Sequence, residues 1–183
     1  MDGLYDTIKQ SYESDLTKLK SLASLCSFDF IGISFCNNAN VIKELREYLG
    51  TNYEMIAKIE TVSGIINLSE IVSAADAVMV ARGDLFVEIA YQGFNPLMVE
   101  RAIVSYCKVF GKKVIIGTRV ADSLETEESL TTREYLTLKD EISFTDNELN
   151  YMLANETSFD ENKAILNIQK LIKAIETLCN ISD

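Results

Sequence analysis

The sequence has no histidine, no tryptophan and a single proline in 183 residues. Without histidine, imidazole general-base chemistry and histidine-ligated metals are excluded. Any bound cation must rest on carboxylates, a donor set that suits Mg²⁺ or Mn²⁺. One proline and eight glycines leave no room for a Pro/Gly-rich linker. The longest apolar runs fall far short of a membrane span, so no membrane partner is expected. Basic residues are also scarce, 17 Lys and Arg against 28 Asp and Glu, for a net charge of −11. A phosphate-backbone binder needs a basic stripe, so nucleic acid is not an expected partner. An anionic small molecule remains compatible, because a divalent metal reverses the local sign. Cys26, Cys36, Cys107 and Cys179 show no CxxC spacing and sit in or beside apolar runs. They are expected to be buried free thiols in a reducing compartment. Met1 is followed by Asp2 and no apolar run, so a cytoplasmic location without a secretory leader is the expectation.

What is present is ordinary globular composition, 48% hydrophobic and 25% charged. The length predicts one domain over 1–183 with a sizeable core. Helical periodicity covers 4–25, with Leu16, Leu19, Leu22, Ala23 and Leu25 as its apolar face. Phe28 to Phe35 reads as a strand. Asn37, Asn38 and Asn40 open a helix carrying Val41, Ile42, Leu45 and Leu49, closed by Gly50. Met55 to Ile59 is a second strand. A turn at Ser63-Gly64 follows, then a short helix with Ile65, Ile66, Leu68, Ile71 and Val72 inward. Ala77 to Val80 is a third strand, left by Ala81 to Leu85. Asn95-Pro96 supplies an N-cap and a first-turn proline for a helix over 97–110, with Gly111 as its stop. Lys113 to Gly117 is a fourth strand. Residues 119–147 predict a loop and an irregular helix near Arg133 to Lys139. Leu149 to Leu153 is a fifth strand. Asp160 caps a last helix with Ala164, Ile165, Ile168, Leu171, Ile172 and Ile175 on one face. The strands are apolar throughout rather than alternating, which predicts an α/β fold with a parallel sheet covered by helices.

Charge gathers at the strand ends. Lys58 and Glu60 are two apart and share a face. Asp84 lies just past the third strand, and Thr118 follows the fourth. In a β/α barrel all four fall at the C-terminal face, where catalytic residues collect. Two carboxylates on adjacent strands can hold a divalent metal, and a nearby lysine can stabilise a phosphoryl group or an enolate. Gly83 permits close approach of backbone N–H groups to an anion. Spacing alone also fits, and more simply, an exposed Lys-x-Glu pair and an Arg-Gly-Asp turn that only cap strands.

Ala57-Lys58-Ile59-Glu60, the stretch from Asp76 to Leu85 with Val87-Glu88-Ile89, and Gly111 to Thr118 together resemble pyruvate kinase. Asp29 to Phe35 resembles the family's fourth barrel strand, and Thr132-Arg133 and Asn155-Glu156-Thr157 fall at further family positions. The resemblance implies a partial TIM-type (β/α) barrel of about five parallel strands. It implies phosphoryl transfer from phosphoenolpyruvate to ADP, giving pyruvate and ATP, the glycolytic reaction. In that reading Lys58 stabilises the transferring phosphoryl group and the enolate. Glu60 and Asp84 ligate Mg²⁺ or Mn²⁺. Backbone at Ala81, Arg82, Gly83 and Asp84, with the Thr118 hydroxyl, holds the substrate carboxylate.

The pattern also departs from the family. The match starts at the helix before the family's fourth strand, so the strands bearing its K⁺ ligands and nucleotide region have no counterpart. ADP or ATP binding is therefore expected only with the remaining barrel supplied. Phe86 replaces a glycine, Ala90 a proline, Arg119-Val120 a Gln-Met pair and Ala154-Asn155 a Ser-Gly pair. A ring at Phe86 is expected to fill the substrate pocket, to strain the turn, or to have no effect on the site. Five strands do not close a TIM barrel, so exposed edges predict a homo-oligomer or a partner chain. The alternatives are a catalytically inactive regulatory or assembly protein, and a metal-dependent lyase or aldolase acting on pyruvate enolates.

Overall fold

The structure is a computed structural model describing the backbone of residues 2–50, 52–145, 149–152 and 161–181, with side chains for 13–50, 52–124, 126–144 and 163–179. Its apolar segments form a five-stranded sheet: β1 (Phe30–Ile33), β2 (Glu54–Ile59), β3 (Ala77–Ala81), β4 (Lys113–Gly117) and β5 (Leu149–Met152). Spatial order equals sequence order and every neighbouring pair is parallel. Helical connections make this an arc of β/α units. It does not close, since β1 and β5 each pair on one side only among the described residues.

Two-residue periodicity splits the sheet. Ala57, Ile59, Val78, Val80, Val114 and Ile116 face the helices and join Ile42, Leu45, Ile71, Ile103 and Leu138 in the main core. Each Val, Ile or Leu among them contributes about 1.5–3 kcal/mol on burial. The opposite face holds a small cluster of Ile56, Ala77 and Met79 with Ile115. Lys58 continues the Ile56 row, so the fold carries this second face toward the strands' C-terminal ends.

The helices are α1 (Asp2–Leu25), α2 (Ala39–Leu49), α3 (Val62–Ile66), α4 (Leu68–Ala74), α5 (Arg82–Tyr91), α6 (Pro96–Val109), α7 (Thr132–Thr145) and α8 (Glu161–Ile181). α6 starts as its sequence dictates: the Asn95 side chain accepts from the N–H groups of Leu97 and Met98, with Pro96 in the first turn. The Asn38 side chain caps α2 in the same way.

Several expectations change. β1 is shorter than 28–35: Phe28 lies before it and stacks on Tyr53, with ring centroids 4.8 Å apart. Ser63-Gly64 is no turn. Thr61 caps α3 by accepting from Gly64 N–H, and the predicted single helix is two, α3 and α4. Ile66, expected inward, is 76% exposed. The segment leaving β3 is the helix α5, because Leu85 and Ile89, one turn apart, both reach the core. Among the described side chains of α1, only Leu16 and Leu19 of the expected face pack on the core as hydrophobic neighbours, and Leu22 and Leu25 face outward. The inner stripe of α8 runs through Asn167, Leu171 and Leu178. That turns Ile165, Ile168 and Ile172 away from the core. Asp160, Leu153 and the 154–157 segment lie outside the described residues. All four cysteines are free thiols, but only Cys36 and Cys107 are buried. Burial pushes their thiols up to about 11 and about 12.

At the opposite end of the sheet, Asp76 ties three segments together. Its carboxylate accepts from Arg46 at 2.5 Å and from Met55 N–H at 2.7 Å. Partial burial opposes ionisation, but Met55 N–H, Arg46 and Lys112 outweigh it and hold the carboxyl below its usual value. A depressed folded-state pKa contributes stability above the unfolded value, and that stability disappears as pH falls through the folded one. The urea midpoint difference between wild type and Asp76→Asn is therefore expected to be constant above about pH 5 and to shrink below about pH 4. A difference that grows on acidification contradicts this role.

Candidate active site

Register places the functional ends side by side. Ile59 pairs with Val80, so the residues following β2 and β3 emerge together. Lys58 stands on the open face of β2, and Glu60 is the first residue beyond the strand. Lys58 Nζ lies 3.0 Å from Glu60 Oε1, with the lysine side chain 25% and the carboxylate 6% exposed. Lys58 also donates to Ser34 Oγ at 2.8 Å. The other Glu60 oxygen, Oε2, accepts from Phe35 N–H at 2.5 Å. Phe35 has φ +50°, a left-handed conformation that costs a non-glycine residue about 1–3 kcal/mol. Its neighbour Cys36 donates N–H to the Lys58 carbonyl at 3.2 Å. The turn after β1 thus holds both Lys58 and Glu60 at the C-terminal end of β2. An ammonium has three donors, and two are used here, which leaves one for a ligand.

A second contact forms at the next two strand ends. Thr118 and Arg119 follow β4 with φ +59° and +50°. Thr118 Oγ1 accepts from Gly83 N–H at 2.7 Å. Because that oxygen accepts, the hydroxyl proton is free for donation elsewhere. A Cβ at Gly83 would lie 3.4 Å from Thr118 Oγ1, an ordinary contact, so the backbone approach does not itself require glycine. Asp84 is exposed in the first turn of α5, at the positive end of the helix. It has no ion pair or side-chain hydrogen bond among the described residues.

Ala81 is buried at the end of β3. The Arg82 side chain turns away from the strand ends, so only its backbone can face a ligand there. It grips Glu100 through Nε at 2.7 Å and Nη2 at 3.1 Å. It also pairs with Glu141 and donates from Nη1 to the Arg119 carbonyl at 3.4 Å. Burial opposes the guanidinium charge, but the two glutamates outweigh it and raise its pKa. Phe86 sits on α5 with ordinary helical backbone, so the expected loop strain is absent. Its ring lies 5.9 Å from the Arg82 guanidinium carbon.

No cluster of three or more Asp, Glu or Cys side chains forms among the described residues. Glu60 and Asp84, one engaged and one free, match the preference of Mg²⁺ for one or two carboxylates completed by water and substrate oxygens. The donor set therefore fits a hard divalent cation.

Sequence reasoning missed two features. Ser34 is one: counting by twos from Gly32 puts it on the Lys58 face. The Arg82–Glu100–Glu141 group is the other. Its visible signal was Glu100 within the apolar stripe Ile103, Val104 and Cys107 of α6.

A parallel β/α arc with lysine, carboxylates and a held hydroxyl at its C-terminal strand ends has the architecture of part of a β/α barrel. The family model described as "Pyruvate kinase, barrel domain" matches residues 8–162, and the chain belongs to that family. It is 43% identical over 96 residues to pyruvate kinase of Trypanoplasma borreli, covering 52% of this chain and 19% of that protein. It is 41% identical over 101 residues to pyruvate kinase of Mycoplasma pneumoniae, covering 53% and 20%. A solved pyruvate kinase from Cryptosporidium parvum superposes with TM-score 0.74 at 26% identity, covering 89% of this chain and 35% of that one. The chain thus spans about a fifth of the length of these curated relatives. No helix among the described residues is long and apolar enough to cross a membrane.

Proposed function

We propose that this chain carries the enolpyruvate-handling part of a kinase site transferring phosphoryl from phosphoenolpyruvate to ADP. The observation that supports it is the Lys58 ammonium, held by Glu60 at 3.0 Å and Ser34 at 2.8 Å with one donor unused. In the reaction the bridging P–O bond of phosphoenolpyruvate breaks and its electron pair stays on the enolate oxygen. The phosphoryl group passes to a terminal oxygen of ADP, and the methylene carbon then gains a proton. Lys58 offers its free N–H to the charge developing on the phosphoryl and enolate oxygens. Backbone at Ala81–Asp84 and the Thr118 hydroxyl hold the substrate carboxylate. A divalent cation held by Glu60 and Asp84 supplies further charge neutralisation when bound. The nucleotide is bound with barrel segments beyond those in this chain.

Enolisation can be read without nucleotide. In D₂O with Mn²⁺ and phosphate, wild type is expected to exchange the methyl protons of pyruvate, followed by NMR. Lys58→Met is expected to slow this by about 100-fold, the size of losing one preorganised charge-stabilising group. Its urea midpoint should fall only modestly, because Glu60 loses its counter-charge but keeps the Phe35 N–H. Equal exchange by both proteins would remove Lys58 from the chemistry.

A further inference from the structure

Ser34 is the first residue past β1 and is exposed. Its Oγ accepts from Lys58 Nζ at 2.8 Å. The turn that presents this hydroxyl is tied down on both β2 and α3. Phe35 gives its N–H to Glu60 Oε2 at 2.5 Å, and Cys36 gives its N–H to the Lys58 carbonyl at 3.2 Å. Cys36 is buried, and a Cβ on the buried Gly64 of α3 would lie 3.0 Å from the Cys36 carbonyl oxygen. The turn therefore has little room to shift, and the hydroxyl stands ready beside Lys58 instead of being ordered by it.

The two contacts of the ammonium differ in kind. Glu60 Oε1, at 3.0 Å, holds it through charge, and Ser34 Oγ holds it through a neutral hydroxyl. A lysine stem is flexible, so one contact fixes the head poorly and two fix it well. In the proposed site Glu60 has two tasks, counter-charge for Lys58 and ligand for a divalent cation, and the present inference rests on that reading. When Glu60 ligates a cation, its charge is shared and Lys58 meets a like charge close by, so the hold of Glu60 on the ammonium weakens. The Ser34 contact carries no net charge and does not depend on what Glu60 binds. We infer that Ser34 is a positioning residue: its hydroxyl keeps the Lys58 ammonium in place once a cation occupies Glu60. The hydroxyl acts through Lys58, and the enolate chemistry stays with the lysine.

NMR of the Lys58 ε-methylene in the lysine-labelled full chain, assigned by its loss in Lys58→Met, reads this placement without turnover. With Mg²⁺ added, wild type is expected to keep two distinct ε-proton resonances, the mark of one held conformation. Ser34→Ala should show the same pair without Mg²⁺, where Glu60 still holds the ammonium, and a merged, averaged pair with it. Ser34→Thr keeps the hydroxyl and should behave as wild type. Ser34 is exposed, so the urea midpoint of Ser34→Ala should stay near that of wild type. Resonances that stay distinct in Ser34→Ala with Mg²⁺, or that merge in wild type with Mg²⁺, overturn the inference. Pyruvate proton exchange separates its failure from failure of the proposed function. Ser34→Ala should slow exchange by about tenfold at unchanged pyruvate KM, the size of one lost hydrogen bond to a charged group. It should add nothing in a Lys58→Met background, because a positioning residue acts only through its partner. Slowing by Ser34→Ala in both backgrounds overturns the positioning role. Equal exchange by wild type and Lys58→Met overturns the proposed function instead, and the NMR result still decides for or against the Ser34 anchor.

Discussion

Arg82→Ala is expected to be the most destabilising single substitution in the described fold. Arg82 is 3% exposed and faces Glu100 at 3% and Glu141 at 8%. Its guanidinium supplies a two-point contact to Glu100 and a further contact to Glu141. Truncation leaves two carboxylates in a desolvated pocket with no cation, and breaking such a group costs about 3–5 kcal/mol. It also releases the Arg119 carbonyl, so the turn bearing Thr118 and Arg119 loses an anchor. Urea unfolding followed by far-ultraviolet circular dichroism reads the loss directly. The triple variant Arg82→Met, Glu100→Leu, Glu141→Leu should recover much of it, because no buried charge is then stranded. A small loss in Arg82→Ala would mean that water reaches the group, contrary to the burial described.

Glu60 gives the second large effect, and here structure and chemistry separate. Glu60→Ala removes the acceptor for Phe35 N–H and the counter-charge of Lys58 at once. The stranded donors should cost about 1–3 kcal/mol. Glu60→Gln keeps an oxygen for Phe35 N–H and should restore most of that stability. It should not restore cation binding, because a neutral amide lacks the charge that a hard divalent ion requires. Mn²⁺ affinity is expected to fall by about 100-fold in both variants, equivalent to about 2.7 kcal/mol. Recovery of Mn²⁺ binding in Glu60→Gln would place the cation elsewhere.

These two residues also mark where sequence reasoning reaches and where it stops. Continuous apolar strands reveal a parallel sheet because the residues dictating it are adjacent. Asn95-Pro96 announces α6 for the same local reason. Period-two counting put Lys58 and Glu60 together, and the 3.0 Å ion pair agrees. The Arg82 group was passed over, although Glu100 interrupts an apolar stripe, because its partners come from α6 and α7, far along the chain, and only folding brings them together. Ser34 was passed over because a serine after a strand has many bland roles, and its value depends on the lysine across the sheet. α5 was missed because Arg-Gly-Asp reads locally as a turn. Burial of Leu85 and Ile89 overrides that local preference. α8 shows a subtler error: Leu171 and Ile175 of its expected face do pack on the core, but Ile165, Ile168 and Ile172 do not, and the packed face continues through Asn167 and Leu178. Side-chain hydrophobicity does not set helix orientation when several apolar stripes compete.

The central claim is that the strand ends of β2 and β3 form one cation and enolpyruvate site. Asp84 tests it most cleanly, because it is exposed and unpartnered, so its removal should leave the fold intact. The decisive measurement is water-proton relaxation of Mn²⁺ with the full chain, with and without oxalate, a planar analogue of the pyruvate enolate. Wild type should bind Mn²⁺, and oxalate should tighten that binding. Asp84→Ala should lose both effects while keeping its circular dichroism and urea midpoint. Equal Mn²⁺ and oxalate responses in wild type and Asp84→Ala, or none in wild type, would contradict the account.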